Sequence, residues 1–226
     1  QHRTGVALDK VEAMYREWNT LPGITMLGLL CYDGHRHESS RQVREEIIAP
    51  VDQQIEAIKG RLQADGLDCS ILIMGGTPSF PVHAEMTGEF LSPGTCVIQD
   101  AGYRNAYPDL QFTPAAALLT RVISRPSRDT FTLDLGCKAV ATDPTPERAE
   151  IVGMEYARTV FQNEEHWVVR VPEEHIDDIP PIGTELFALP IHVCPTSALY
   201  PEVPVVEDGK IVGWWKVAAR DRRLTL

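Results

Sequence analysis

Apolar residues in the first half of the chain recur at helical and strand spacings in alternation. In residues 9–19 and again in residues 39–63 they return every three or four positions, which predicts two amphipathic helices. Residues 24–31, 69–74 and 95–99 are short apolar runs, which predict strands covered on both faces. This alternation is typical of a parallel sheet whose strands are connected by helices.

Local signals refine the longer helix. Ser39 and Gln42 have the spacing of a capping box at its start. Pro50 predicts a kink, because proline removes one backbone N–H donor from the helix. A further short helical segment is expected after Pro81.

The parallel half favours a barrel over a dinucleotide-binding fold. A G-x-G-x-x-G motif after a strand is missing from the sequence, which argues against a Rossmann fold. Three strands and their helices are too few to close a barrel. We therefore interpret residues 1–112 as the later part of a (β/α)8 TIM-type barrel and expect the sequence to lack its N-terminal portion.

The pattern changes after Pro114, where proline and glycine replace long helices between the apolar segments. Four short segments read as strands: residues 115–125, 129–140, 166–171 and 185–190. Residues 205–212 predict a hairpin that turns at Asp208-Gly209. Residues 113–226 therefore predict a second, C-terminal and mostly β domain, so that the fold class is α/β followed by β.

Charge and composition narrow the function classes. The 226 residues carry a formal net charge of -11, which argues against nucleic acid or an anionic membrane surface as a partner. No apolar run reaches the roughly 18 residues that span a bilayer, and the first residues lack the apolar core of a signal peptide. The five cysteines form no C-x-x-C pair. This usage is typical of a reduced compartment, so the cytoplasm is the expected location.

Three predicted strands end in polar loops that contain glycine: residues 32–35, 75–79 and 100–103. Because parallel strands end at one edge of a sheet, we expect these loops to share a functional face. The Gly75–Ser79 loop is either a cradle for an anion, with backbone N–H groups and hydroxyls as donors, or a tight turn. The loop that contains Tyr32 and His35 is either a site for acid–base chemistry or a polar lead into the next helix.

His192 and Cys194 lie two residues apart near the end of the chain. On an extended segment their side chains would share one face. An imidazole and a thiolate suit zinc, and two protein ligands leave coordination positions open. The alternative is a buried histidine and a buried cysteine on an ordinary strand.

Taken in order, these segments resemble the D-threonine aldolase and D-serine dehydratase family, whose members are pyridoxal-phosphate enzymes of the alanine-racemase-like fold, a barrel followed by a β domain. The resemblance extends over the whole chain. Its motifs are R-x-G-V at 3–6, Tyr-Asp-Gly-His at 32–35, Gly-Gly-Thr-Pro-Ser at 75–79, Pro-Gly-Thr-x-Val-x-x-Asp at 93–100 and His-x-Cys-Pro at 192–195.

The resemblance implies a cofactor site in the partial barrel. Gly76 and Thr77 would hold the phosphate of pyridoxal 5′-phosphate, and Tyr32 would lie beside the cofactor. Arg3 would approach the pyridine nitrogen, and Asp100 would lie at the same mouth.

The resemblance also implies a metal site in the β domain and a reaction. His192 and Cys194 would bind a divalent metal, zinc or manganese, and His35 would transfer a proton at the substrate hydroxyl, with Tyr32 as the second catalytic candidate. The implied activity is a D-threonine aldolase-like lyase that cleaves β-hydroxy-D-amino acids to glycine and an aldehyde. Its partner is a small D-amino acid, and a homodimer is the candidate assembly.

Two alternatives stay open. Cysteine at the second metal position occurs in the dehydratase branch, so the activity could be that of a D-serine ammonia-lyase. The family's covalent cofactor lysine lies in a His-x-Lys-Thr-like context, which none of Lys10, Lys59, Lys138, Lys210 and Lys216 has. The chain alone is therefore expected to be inactive, and a non-catalytic protein that binds metal or pyridoxal phosphate is the alternative of another class.

Overall fold

The computed structural model describes residues 3–86, 90–144, 146–220 and 223. The chain forms two compact units. The first unit contains Gln1–Val97 and Ala106–Gln111, and the second contains Ile98–Asn105 and Phe112–Leu226.

The first unit is built on a parallel sheet. Its elements are α1 (Val11–Trp18), β1 (Gly28–Cys31), α2 (Arg41–Ala64), β2 (Ile71–Met74), α3 (Phe80–Met86) and β3 (Phe90–Leu91). The strands pair in the order β1-β2-β3, with Cys31 opposite Met74 and Met74 opposite Leu91. Because parallel neighbours need a crossover connection, α2 joins β1 to β2 as the hydrophobic spacing predicted.

The start of α2 differs from the sequence prediction, and Pro50 lies in its interior. The N-cap residue is Ser40 and no side-chain cap hydrogen bond forms, so the Ser39–Gln42 capping box is wrong. Pro50 lies inside a helix that runs without interruption from Arg41 to Ala64. One missing N–H donor therefore does not end this helix, and the kink expected at Pro50 stays a prediction.

The third predicted strand is also wrong. Residues 95–97 form a 3-10 turn, in which Val97 N–H donates to the Gly94 carbonyl at 3.2 Å, and the third strand of the sheet is Phe90–Leu91. Pro93 stands between the two segments and lacks the N–H that a strand would need for pairing. Residue 99 then adopts a positive φ of 54°, which extended pairing does not accommodate.

The second unit is antiparallel, as the shorter strands and dense turns predicted. Its elements are α4 (Ala101–Ala106), β4 (Leu118–Ser124), β5 (Thr130–Leu133), β6 (Ala149–Ile151), β7 (Arg158–Asn163), β8 (His166–Arg170), β9 (Glu185–Pro190), α5 (Val193–Ser197), β10 (Glu202–Glu207) and β11 (Lys210–Lys216). Six strands pair in the order β6-β9-β4-β5-β8-β7, and β10 pairs with β11 in the hairpin predicted around Asp208-Gly209.

Each unit has its own hydrophobic core. The core of the second unit consists of buried residues from its six-stranded sheet and adjoining loops, among them Val122, Phe131, Leu133, Trp167, Val169 and Ala188. The first unit has two smaller clusters, one around Tyr15, Ile58, Leu62 and Cys69 and one around Ile55, Leu72 and Met74. The apolar register of α2 thus packs against α1 and the sheet, as its periodicity predicted.

Within the part of the chain that the structure describes, no helix combines the length and the apolar character needed to cross a membrane.

Candidate functional site

In the first unit, the loops after β1 and β2 are joined by hydrogen bonds. Gly76 N–H donates to Asp33 Oδ1 at 3.0 Å, and the Ser79 hydroxyl donates to the same oxygen. Gly75 N–H also donates to the Cys31 carbonyl at 3.0 Å. The expectation that these two loops meet is therefore confirmed, because adjacent parallel strands end at one edge of the sheet.

These contacts change the predicted role of Gly76. Its N–H points inward to Asp33 and also lies 3.0 Å from Ser79 Oγ, so this amide already has acceptors within the protein. The binding of a phosphate by Gly76 stays a prediction, and it would require contacts beyond this already hydrogen-bonded amide. Thr77, the other residue predicted to bind the phosphate, is buried, with 4% of its surface exposed.

A buried histidine on α3 connects this loop pair to α2. His83 Nε2 lies 2.8 Å from Asp33 Oδ2, and His83 Nδ1 lies 3.0 Å from Asp52 Oδ2. Burial by itself lowers the pKa of His83, but the bonds to Asp33 and Asp52 outweigh burial and raise the pKa to about 9. The imidazole is therefore protonated at neutral pH, with both ring nitrogens donating.

The Tyr32 ring lies beside the glycine loop. A Cβ placed on Gly76 would be 2.9 Å from Tyr32 Cε2, so the aromatic ring and this backbone are in close contact. The Arg3 guanidinium carbon lies 5.9 Å from the centre of the Tyr32 ring. Arg3, Tyr32 and His35 also line one cavity of about 870 Å³ within the first unit. Three of the residues predicted for the cofactor and for catalysis are thus brought together.

The His35 ring is held by its neighbour. Arg36 Nη2 donates to His35 Nε2 at 2.5 Å, which requires a lone pair on that nitrogen and places the ring hydrogen of a neutral imidazole on Nδ1. Burial, and then the positive charge of Arg36, lowers the pKa of His35 below its ordinary value. Nδ1 is buried and makes no hydrogen bond within the described residues. A neutral histidine can accept a proton, although Arg36 competes for Nε2.

In the second unit, both carboxylate oxygens of Asp100 accept backbone N–H groups. Oδ1 accepts from Tyr103 N–H at 2.8 Å at the start of α4, and Oδ2 accepts from Val193 N–H at 3.0 Å. Burial raises the pKa of Asp100 although these two donors oppose the shift. Asp100 was predicted to follow a strand and to reach the cofactor. It follows a turn instead, and it anchors the segment that carries His192.

The prediction that His192 and Cys194 lie on one extended segment is wrong in its geometry. His192 has extended backbone angles, but α5 begins at Val193, so Cys194 lies in the first turn of a short helix. The two side chains nevertheless meet, because the Cys194 thiol hydrogen-bonds the imidazole. The turn from strand to helix brings them together where strand alternation was expected to do so.

Two polar residues fix the His192 side chain and backbone. Asp143 Oδ2 lies 2.5 Å from His192 Nδ1. The Thr196 hydroxyl donates to the His192 carbonyl at 2.7 Å and accepts from Ala141 N–H. A hydrogen bond that the Cys194 sulfur accepts from the ring is the largest cause that raises the pKa of His192 to about 9; Asp143 adds to this shift, and partial burial opposes it.

The donor set suits a divalent metal in part. An imidazole nitrogen and an adjacent thiol are ligands that zinc prefers, and a carboxylate on the other ring nitrogen is a common support for a metal-binding histidine. Among the described residues, no group of three or more histidine, cysteine or acidic side chains is arranged to hold a metal. His192 and Cys194 would therefore supply two ligands and leave the others to water or substrate.

Several of these residues were missed in the sequence. Asp52 occupies a position in the apolar register of α2 between Ile48 and Ile55, and a carboxylate at such a position signals a buried partner. His83 follows Ser79 by four residues, one helical turn after the glycine loop. Asp143 lies in a proline-rich loop, and its contact with His192 spans 49 residues, so no local signal identifies it.

Comparisons with known proteins agree on one group of enzymes. A family model described as a putative serine dehydratase domain matches residues 115–206. A D-threonine aldolase from Arthrobacter sp is 31% identical over 226 residues, which cover 97% of this chain and 58% of that protein. A D-threo-3-hydroxyaspartate dehydratase from Delftia sp. (strain HT23) is 25% identical over 236 residues, which cover 94% of this chain and 62% of that protein.

A solved structure has the same fold. The crystal structure of D-threonine aldolase from Filomicrobium marinum matches with a TM-score of 0.80 and 25% sequence identity, over 97% of this chain and 60% of that chain. This chain therefore spans about three fifths of the length of each of these three proteins.

Proposed function

Because the chain belongs to the family of D-threonine aldolases and D-serine dehydratases, we propose that it is part of a lyase that depends on pyridoxal phosphate and a divalent metal. The proposed substrates are β-hydroxy-D-amino acids, which an aldolase-like reaction would cleave to glycine and an aldehyde. The first unit would then be part of a (β/α)8 barrel that binds the cofactor, followed by a β domain with the metal ligands. We expect the cytoplasm as its location and a homodimer as its assembly.

The observation that carries this proposal is the contact of His192 with Cys194 and with Asp143. Asp143 accepts from Nδ1, so Nε2 is the ring nitrogen that a metal would bind on release of its proton. Cys194 is exposed beside it and would supply the second ligand as a thiolate. This pair favours zinc over manganese, since a thiolate is a soft ligand.

When bound, the metal supplies Lewis acidity for the substrate hydroxyl, and pyridoxal phosphate supplies an electron sink for charge at the substrate α-carbon. The residues of this chain would orient and bind these groups. Tyr32 would pack beside the cofactor ring, Arg3 would reach its pyridine nitrogen, and Thr77 would contact its phosphate. His35 would accept the proton of the substrate hydroxyl at Nε2 once Arg36 releases that nitrogen.

Replacement of the two proposed metal ligands tests the proposal. His192→Ala and Cys194→Ala should each lower the bound zinc or manganese, measured by elemental analysis, at least tenfold. The amount of bound pyridoxal phosphate, measured after its release from the protein, should stay close to that of the wild type. Cys137→Ala, which replaces a half-buried cysteine of the same unit, is the matched control and should leave the metal content unchanged. Unchanged metal content in both ligand variants would remove the metal site from the proposal.

The dehydratase activity is kept as a second candidate, because a relative that the chain matches over 94% of its length is a dehydratase. With D-threonine, an aldolase forms acetaldehyde and glycine, whereas a dehydratase forms a 2-oxo acid and ammonia. Measurement of both product pairs from one reaction separates the two activities.

A non-catalytic binding role is the candidate of another class. None of the five lysines has the sequence context of the family's cofactor lysine. Lys138 lies between Glu164 and Glu165, at 2.7 and 2.8 Å, on the second unit. Cofactor and metal binding with neither product pair formed would identify this role.

A further inference from the structure

A buried polar triad underlies the glycine loop of the first unit. We infer that His83 is the positioning residue of this loop: its ring bridges Asp52 and Asp33, and Asp33 holds Gly76 and Ser79 in a conformation that admits a phosphate ester. This inference rests on the proposed role of the loop in binding the cofactor phosphate. It concerns a residue that would touch neither cofactor nor substrate.

The contacts form one continuous chain from α2 to the loop. Asp52 on α2 accepts from His83 Nδ1 at 3.0 Å, and Asp33 accepts from His83 Nε2 at 2.8 Å. The other oxygen of Asp33 accepts from Gly76 N–H and from the Ser79 hydroxyl. Each carboxylate is oriented by the imidazole, so a change at His83 reaches the loop through Asp33.

The His83 ring also sets the shape of the loop. Gly75 has a φ of +75°, and a Cβ at this position would lie 2.6 Å from His83 Cδ2. The loop backbone therefore rests directly on the imidazole and needs glycine both for its conformation and for its closeness. A smaller side chain at position 83 would remove this support.

The charges of His83, Asp33 and Asp52 also affect how well the loop can bind a phosphate group. Asp33 is a carboxylate hydrogen-bonded to the loop that would receive the phosphate, and like charges repel strongly where water is excluded. Asp52 is buried and adds a second negative charge. Hydrogen bonds from both ring nitrogens place an imidazolium between the two carboxylates, which offsets one of these charges. Loss of His83 should therefore weaken binding of the phosphate group in particular.

The experiment compares two ligands that differ by the phosphate alone. Pyridoxal 5′-phosphate and pyridoxal are titrated into the wild-type chain, His83→Ala and His83→Gln, and dissociation constants are read from absorbance or fluorescence. We expect His83→Ala to bind the phosphate ester about tenfold more weakly, a typical effect of losing hydrogen bonds to charged groups. Pyridoxal should bind within about twofold of wild type, because it lacks the group that the loop receives.

Two further variants guard against a general loss of folding. His83→Gln keeps a donor amide and should bind the phosphate ester with intermediate affinity. Asp109→Asn removes the ion-pair partner of the buried Arg44 elsewhere in the first unit and should leave the ratio of the two ligand affinities unchanged. A purely structural role for His83 would lower the melting temperature without altering this ratio, which overturns the inference.

A readout without ligand keeps this inference separate from the proposed function. Amide hydrogen exchange at Gly76 should accelerate about tenfold in His83→Ala, because Asp33 then loses its orientation as an acceptor. Wild-type protein that binds the phosphate ester no better than pyridoxal contradicts the proposed function of the loop. Unchanged exchange at Gly76 in His83→Ala contradicts the positioning role, whichever ligand result is obtained.

Discussion

Asp143 Oδ2 lies 2.5 Å from Nδ1 of His192, a contact between side chains that are 49 residues apart in the chain. The carboxylate accepts the Nδ1 hydrogen and thereby determines the ring's orientation and its tautomer. The same ring also makes a hydrogen bond with Cys194. Asp143 therefore belongs to the candidate metal site without being one of its ligands.

Asp143→Ala should lower the affinity for zinc about tenfold, at the lower end of the 10–100-fold typical of such supporting residues. The reason is that His192 then loses the group that holds its ring in place. Asp143→Asn keeps an acceptor oxygen and should have a smaller effect. The dissociation constant of zinc, measured by competition with a chelator, checks this, and equal affinities in Asp143→Ala and wild type would exclude the supporting role.

Thr77→Val should weaken binding of pyridoxal phosphate about tenfold and leave zinc affinity within about twofold, since only the hydroxyl is removed. Thr132→Val, at a buried position on β5, is the matched control and should change neither affinity. Parallel titration of both variants with cofactor and metal provides the measurement. An equal loss of both affinities in Thr77→Val would indicate disturbed folding.

The stability of the protein should fall with rising pH because of His83. Its pKa is raised from 6.5 to about 9 in the folded state, so the folded protein holds this proton more tightly than the unfolded chain. The stabilisation is fully present below pH 6.5 and is lost progressively as the pH rises to about 9. Asp33 and Asp52 are the acidic partners responsible.

Urea unfolding at a series of pH values between these limits measures the effect. The free energy of unfolding of the wild type should decline across the window, and that of His83→Gln should change less. Equal slopes for both proteins would show that the triad is not the source of the pH dependence.

Gly102→Ala should destabilise the second unit and lower zinc affinity. A Cβ at Gly102 would lie 2.2 Å from the Ile191 carbonyl oxygen, so the backbone just before His192 must move. Gly60→Ala is the control, and it should raise the stability of the protein where Gly102→Ala lowers it. Gly60 is exposed on α2 with open space around it, and alanine there should add up to about 1 kcal/mol of stability. Thermal unfolding of both variants measures the contrast, and a Gly102→Ala protein as stable as wild type would contradict it.

The helices and strands with regular apolar spacing could be predicted from the sequence, because the spacing of apolar residues depends on which faces of an element are buried. The helix α2, the strands β1 and β2, and the hairpin at Asp208-Gly209 are examples. Boundaries set by single backbone groups were not predictable in this way. Residues 95–99 have the composition of a strand, but Pro93 and the turn at Gly94 determine their conformation.

The candidate site was predictable where its residues lie close together in sequence. His192 and Cys194 meet, although through the start of α5 and not through strand alternation. Contacts between distant positions were not predictable, since the sequence carries no sign that Asp143 reaches His192 or that His83 reaches Asp52. The role of Asp100 as an anchor of the Val193 amide was missed for the same reason.

The second unit is discontinuous in sequence, because it includes the eight residues Ile98–Asn105 as well as Phe112–Leu226. Asp100 belongs to this short contribution, and its carboxylate receives the Val193 amide beside His192. A shortened protein that begins at Phe112 would keep all the strands of the second unit. It would lose Asp100 and with it the hydrogen bond that holds the backbone next to His192. The candidate metal site of this unit thus depends on two separate stretches of sequence, and a transfer of the site to another protein must include both.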